Sequence, residues 1–212
     1  MSRLRVALSK GRLFEPSVER FRSAGASIQD DGSRRLLIPS SDPSIEFLVV
    51  KPGDVPVYVE SGAADLGITG TDVLRESGAD VLEPLELQFG FCRLVVAAPE
   101  DVPYPALPGG VTARVATKYP RLSQTFFAAA GRPVDIIPVS GSVEVAPLLN
   151  LSHWIVDLVD TGNTLRANRL VEQETILQCG AVLVANRASQ KLKLDAYLNL
   201  MERLDRASGL SA

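Results

Sequence analysis

Residues 157–165 read DLVDTGNTL, and the parsing of this stretch decides the fold. Just before it, Trp154, Ile155 and Val156 form a short apolar run, which reads as a buried strand. After it the pattern turns helical through Leu165, Asn168 and Leu170. Between the two lies Asp160-Thr161-Gly162-Asn163-Thr164, a tight glycine turn that opens a helix. Such a turn offers backbone N–H groups and the positive end of a helix dipole to an anion. Gly162 lets the backbone approach closely, and the hydroxyls of Thr161 and Thr164 can complete a cradle. Asp157 and Asp160 stand where carboxylates can accept hydrogen bonds from sugar hydroxyls. The stretch therefore reads as a sugar-phosphate site. Its alternative is an ordinary strand-to-helix turn with a threonine as N-cap.

Working outward, the same grammar recurs. Residues 3–8 read as a strand, followed by Ser9-Lys10-Gly11-Arg12-Leu13 and a helix through Val18 and Phe21 that Gly25 stops. Lys10 and Arg12 then lie at the carboxyl end of a strand, the edge where open α/β sheets take ligands. The alternative reading is two solvated surface charges. Residues 35–38 and 45–50 read as strands, and Lys51-Pro52-Gly53-Asp54 opens a helix ending near Gly62. Residues 64–70 form another strand, with a helix from Thr71 to Gly78. Thr69, Gly70 and Asp72 occupy this second strand–glycine–helix edge. They could touch a polyphosphate or its metal ion, or serve as a helix cap, with Thr71 the capping residue.

Farther along, residues 80–87 and 91–98 read as two extended runs on either side of Gly90. A strand at 113–117 leads through Lys118-Tyr119-Pro120 to a helix closed by Gly131, then a strand at 134–139. Ser140-Gly141-Ser142-Val143-Glu144 reads as the start of a further helix, with Glu144 as its N3 carboxylate and Asn150 at its end. Residues 171–178 and 180–185 read as two strands around Gly180. Residues 188–207 read as one amphipathic helix with Leu192, Leu194, Tyr197, Leu198, Met201 and Leu204 on its packed face.

Strand–helix alternation predicts an α/β protein with mostly parallel sheets. Two lobes are expected, residues 1–89 plus 178–212 and residues 90–177. The crossing segments near 85–95 and 173–183 would be hinges, with a ligand cleft between the lobes.

The 212 residues suffice for a real core, and 46% hydrophobic with 22% charged residues is ordinary globular composition. The balance of 22 basic and 25 acidic side chains, −3 overall, has no basic stripe, which argues against a nucleic-acid binder. Cys92 and Cys179 are far apart and sit in apolar runs, as reduced core residues would. The lone His153 has no Cys or His neighbours at metal-ligand spacing. No apolar run approaches a membrane span and no export signal is visible, so a cytoplasmic protein is expected.

Four stretches together resemble the catalytic chain of the ATP phosphoribosyltransferases. They are ALSKGRL (7–13), AADLGITGTDVL (63–74), RVATKYP (114–120) followed by GSVEVAPLL (141–149), and DLVDTGNTL. Each is weak alone, but their order and spacing match nearly end to end. The resemblance implies a type II periplasmic-binding-protein-like fold. It implies transfer of phosphoribosyl from phosphoribosyl pyrophosphate to N1 of ATP, releasing pyrophosphate, the first step of histidine biosynthesis. With no additional C-terminal regulatory domain in this sequence, it resembles the short form of the family. Short forms work with a regulatory subunit related to histidyl-tRNA synthetase, as hetero-octamers.

By the same resemblance, Asp160, Thr161, Gly162, Asn163, Thr164 and Leu165 bind the 5-phosphate, and Asp157 lies near the ribose hydroxyls. Lys10, Gly11 and Arg12 face the pyrophosphate or the ATP phosphates, and Mg²⁺ rides on those phosphates rather than on protein ligands. Tyr119 would lie near the adenine and Glu144 near the sugar. Lys51 stands where many members have Arg, and is carried as an ATP contact of altered geometry. Ser9 stands where Pro is common, which affects only the turn. The competing class is a two-lobed module that binds a small anion without chemistry.

Overall fold

The computed structural model describes residues 3–29 and 35–207. The chain begins with β1 (Leu4–Ser9), α1 (Phe14–Ser23), β2 (Leu37–Pro39), β3 (Ile45–Val50), α2 (Asp54–Glu60), β4 (Leu66–Gly70) and α3 (Thr71–Ser77). A long strand, β5 (Leu82–Pro99), follows, then β6 (Ala113–Thr117), α4 (Pro120–Ala129), β7 (Val134–Pro138) and β8 (Trp154–Val159). The chain ends with α5 (Asn163–Ala167), a second long strand β9 (Leu170–Ala185), α6 (Arg187–Leu192) and α7 (Leu194–Arg206). It divides into two compact units, residues 1–90 with 180–212, and residues 91–179.

In the first unit the strand order is β2-β3-β1-β4-β9. β1 runs parallel to β3 and β4, and β9 is antiparallel to β4. Both faces of this sheet are covered, which is why Val6-Ala7-Leu8 and Phe47-Leu48-Val49-Val50 are apolar and buried without a break. Leu4, Val6 and Leu8 pack with Phe21, Phe47, Leu200 and Leu204 on one face. Ala7, Leu48 and Val50 pack with Val55, Val59 and Val184 on the other. Phe21 meets Phe47 edge-on, with ring centroids 5.1 Å apart.

In the second unit the order is β5-β8-β6-β7, with β6 parallel to β7 and β8, and β5 antiparallel to β8. Leu94, Val96, Val115, Val156, Phe127 and Trp154 form one buried layer. Val95, Ala97, Ala116, Ile155, Val159 and Leu165 form the other. Trp154 satisfies its indole N–H by donating to the Pro103 carbonyl at 3.0 Å. Cys92 and Cys179 are both buried and are not joined by a disulfide. Among the described residues no helix is long and apolar enough to cross a membrane.

Several local expectations are corrected. The paired runs around Gly90 and around Gly180 are each one continuous strand, β5 and β9. The space a Cβ on Gly90 would take holds the Leu13 side chain, 2.4 Å away, and the Gly180 N–H donates to the Thr71 hydroxyl. Tertiary neighbours thus carry the strands through glycines that read as breaks. Thr71 is correspondingly no cap: Gly70 takes the N-cap position of α3 without a side-chain bond. The segment after Gly141 forms two 3₁₀ turns, Val143–Val145 and Pro147–Leu149, instead of a helix. Pro147 has no N–H to donate, and its ring excludes the helical bond behind it.

The helix after Gly162 has five residues, and Leu170 already belongs to β9. Arg169, at φ 54°, makes the turn between them. The terminal segment is two helices that meet at Lys193, whose ammonium is drawn to the Asp65 carboxylate and the Arg3 carbonyl, each at 2.8 Å. Asn186 caps α6 by accepting from the Ala188 and Ser189 N–H groups. The break changes the packed face: Tyr197, Leu200 and Leu204 are buried, while Leu192, Leu194 and Leu198 are exposed.

Candidate functional site

Parallel strands bring their carboxyl ends to one edge of a sheet, and in each unit that edge carries the residues singled out from the sequence. In the second unit β6 and β8 are in register from Val115↔Trp154 to Thr117↔Val156. Continuing that register sets Lys118 beside Asp157. Asp157 lies inside β8 rather than at its end, paired with Val95. It is half-buried, and its Oδ1 accepts the Leu158 N–H at 2.9 Å. Burial pushes its carboxyl above the ordinary range. The Leu158 N–H and the Lys118 charge pull it back, and the charge of Glu144 adds to the rise. Glu144, half-buried in the first 3₁₀ turn, therefore acts on Asp157 without serving as a helix cap.

The loop from Asp160 to Leu165 follows directly. Gly162 has φ 77°, a conformation that strains any L side chain, and is the N-cap of α5 without a side-chain bond. Asp160, Thr161, Asn163 and Thr164 are exposed, while Leu165 anchors the loop in the core with Val159 and Leu170. Since α5 is so short, its dipole is a minor attraction. Individual N–H groups and hydroxyls are what the loop can offer an anion. On the carbonyl side, Arg93 donates to Asp160 O at 3.0 Å and forks Glu172 through Nε and Nη2, at 2.8 and 2.6 Å. Arg166 donates to Thr161 O at 3.1 Å and to the Asn163 side-chain oxygen.

In the first unit, Ser9 pairs with Val50, so Lys10 and Lys51 follow neighbouring strands side by side. Both are exposed, and the Lys10 N–H donates to Val50 O at 2.8 Å. Gly11 turns the chain at φ 92°, and Arg12 donates to Gly90 O at 3.3 Å. Thr69 and Gly70 are buried at the end of β4, and Asp72 is buried in the first turn of α3. The Thr69 hydroxyl has no partner among the described residues. Asp72 folds back over Gly70 so closely that a Cβ there would meet its Oδ1 at 2.1 Å.

The first unit thus gathers Lys10, Gly11, Arg12, Lys51, Thr69, Gly70 and Asp72. The second gathers Glu144, Asp157 and the loop. Tyr119 lies in the second unit too, but its ring packs into the core and is 9% exposed. Three residues at these edges escaped the sequence reading. Lys118 carried a signal, since it follows β6 as Lys10 follows β1. Arg166 carried a weaker one, three residues after Asn163 on a helix. Arg93 is 67 residues from the carbonyl it holds and carried none. The lone His153 accepts the Arg114 N–H at Nδ1, and burial followed by the Arg114 charge lowers its pKa.

Comparison with known proteins adds to this geometry. The family model described as HisG: ATP phosphoribosyltransferase matches residues 51–206. An ATP phosphoribosyltransferase of Sorangium cellulosum (strain So ce56) is 49% identical over 97% of this chain and 96% of its own length. One from Albidiferax ferrireducens is 50% identical over 89% and 91%. Among solved structures, a chain of the ATP phosphoribosyl transferase (HisG:HisZ) complex from Thermotoga maritima superposes with a TM-score of 0.86 at 33% identity, covering 98% of this chain and all 100% of that one. The alkanesulfonate-binding protein SsuA from Xanthomonas axonopodis pv. citri shares the fold alone, with a TM-score of 0.59 at 14% identity over 99% of this chain and 74% of that one. On the family match and on relatives this similar along almost their whole length, the chain belongs to the ATP phosphoribosyltransferase family.

Proposed function

We propose that this chain catalyses the reaction its family is named for, transferring the 5-phosphoribosyl group of phosphoribosyl pyrophosphate to N1 of ATP and releasing pyrophosphate. One observation carries the assignment of residues. Four of the stretches that resemble the family, 7–13, 63–74, 114–120 and 157–165, run across a strand's carboxyl end into the turn after it, and 141–149 follows the end of β7.

On this reading residues Asp160 to Leu165 hold the 5-phosphate through backbone N–H groups and the Thr161 and Thr164 hydroxyls. Asp157 faces the ribose hydroxyls, with Glu144 behind it. Adenine N1 forms a bond to the anomeric carbon as the bond to pyrophosphate breaks, and the electron pair leaves with pyrophosphate. The ring gains oxocarbenium character on the way, and the Asp157 carboxylate supplies fixed negative charge near it. Lys10, Gly11 and Arg12 receive the pyrophosphate or the ATP phosphates, with Lys51, Thr69, Gly70 and Asp72 on the same edge. Tyr119 offers adenine at most the rim of its ring.

Mg²⁺ would enter on the substrates, since that ion keeps phosphate and water ligands and takes few from protein. Exposed Asp160 and half-buried Asp157 are hard oxygen donors suited to meeting its water shell. Bound there, the ion would offset charge on the departing pyrophosphate. We further propose a cytoplasmic enzyme working with a partner of the HisZ kind, related to histidyl-tRNA synthetase, in a hetero-octamer. Support comes from the Thermotoga maritima complex, whose matching chain this one covers in full.

The reading is tested by mixing the chain and its regulatory partner with ATP, phosphoribosyl pyrophosphate and Mg²⁺. Pyrophosphate should appear only when all three are present. A preparation that binds either substrate yet never releases pyrophosphate would be the small-anion binding module instead.

A further inference from the structure

The loop at 160–165 is held from behind by two arginines that neither the family resemblance nor the proposed contacts include. A peptide unit is planar, so its C=O and the following N–H point in opposite directions. Fixing the Asp160 carbonyl therefore fixes the Thr161 N–H, and fixing the Thr161 carbonyl fixes the Gly162 N–H. Arg93 does the first at 3.0 Å, and Arg166 does the second at 3.1 Å. Arg166 also donates to the side-chain oxygen of Asn163, tying the start of α5 to the turn. Arg93 is itself oriented by its fork onto Glu172. The Arg166 Nη1 lies 3.2 Å from where a Cβ on Gly162 would stand, so the guanidinium fills the back of the turn. Gly162, Leu165, Arg93, Arg166 and Glu172 line one cavity of about 390 Å³ on this side.

We infer that Arg166, with Arg93 acting in the same direction, is a positioning residue that sets the loop's N–H groups toward the 5-phosphate before substrate arrives. The inference rests on reading residues 160–165 as the phosphate loop. It assigns Arg166 to the carbonyl side, so its work is preorganisation and not a direct hold on the ligand. Free Gly- and Thr-containing turns sample many peptide orientations. A braced turn spends less of its binding free energy on ordering.

The test uses the full chain with its regulatory partner and compares wild type, Arg166→Ala and Arg166→Lys. The Michaelis constant for phosphoribosyl pyrophosphate should rise about tenfold in Arg166→Ala, the factor for one charge-assisted hydrogen bond. The constant for ATP and kcat should hold within about twofold. Amide hydrogen exchange at Thr161 and Gly162 should be faster in ligand-free Arg166→Ala than in ligand-free wild type. That readout separates bracing from direct ligand contact, which would leave the ligand-free loop unchanged. Arg166→Lys keeps the charge without the planar reach, so it should restore less than half of the lost affinity. Near-complete rescue by lysine, or unaltered loop exchange in Arg166→Ala, overturns the brace. If wild type itself binds no phosphoribosyl pyrophosphate, the loop reading falls and takes the brace with it. If wild type binds and Arg166→Ala binds equally well, only the brace falls.

Discussion

The carboxyl edges of the two units hold their polar groups in opposite ways. In the second unit the loop after β8 is backbone held from behind, with Arg93 and Arg166 spent on carbonyls and carboxylates of their own unit. In the first unit the cations point outward: Lys10 and Lys51 are exposed on adjacent strand ends. A backbone cradle recognises the shape of one phosphate, because N–H directions are set before binding. Flexible ammonium groups recognise charge, and tolerate a polyphosphate that arrives in one form and leaves in another. The difference fits a reaction in which the phosphoribosyl group is held fixed while pyrophosphate departs.

The contrast breaks most sharply at Gly162. Gly162→Val forces a β-branched residue to φ 77° and sets its Cβ 3.2 Å from Arg166 Nη1. Calorimetry should show no measurable phosphoribosyl pyrophosphate binding, with ATP binding retained and the melting temperature lowered by only several degrees, the strain of about 1–3 kcal/mol at one residue. Retained affinity would mean that phosphate is not held by this turn.

Next in size is Asp157→Asn. Removing fixed charge beside the reacting ring should lower kcat about 10²-fold. Stability should move the other way. Burial raises the folded-state pKa of Asp157, so its contribution is full below the ordinary carboxylate value of about 3.9 and is lost as pH rises through the raised value. Above that raised value the half-buried carboxylate is a cost, and asparagine can still accept the Leu158 N–H. The melting temperature of the variant relative to wild type should therefore climb between about pH 4 and neutrality. A variant that is less stable at pH 7 would show that Lys118 outweighs burial.

A smaller effect is expected in the first unit. Lys10→Ala should lower kcat/KM for ATP about tenfold, with no change in phosphoribosyl pyrophosphate affinity through the loop. Raising ionic strength should weaken ATP use by wild type more than by the variant, because the missing charge is an exposed one. The smallest change is Lys51→Arg, worth at most about fivefold in KM for ATP, the range of an exposed ion contact. A larger gain would show that a planar fork is used at that position.

Much of this was legible in the chain. β1, β3, β4 and β8 announced themselves as strands followed by glycine turns, and β6 as a strand followed by Lys118-Tyr119-Pro120; those turns are where the proposed contacts lie. Local pattern failed where a distant group overrode it. Gly90 and Gly180 read as breaks, yet both sit inside long strands because Leu13 fills the space beside one and the Thr71 hydroxyl takes the N–H of the other. The terminal helix read as one, yet Lys193 is pulled out of it by Asp65, 128 residues away. Glu144 read as a helix cap, and Pro147 left it on a 3₁₀ turn whose charge reaches Asp157.

By itself, then, the sequence determined the α/β class and the glycine turns, since these follow from periodicity and from residues adjacent in the chain, and its four motif stretches carried the resemblance to the family. Only the tertiary structure decided the ionisation of Asp157 and the aim of the loop beside it. Both depend on groups that are close in space and remote along the chain: Lys118 beside a half-buried carboxylate, and Arg93 on the carbonyl of Asp160. Burial and register create those neighbours, and neither is written in any local stretch.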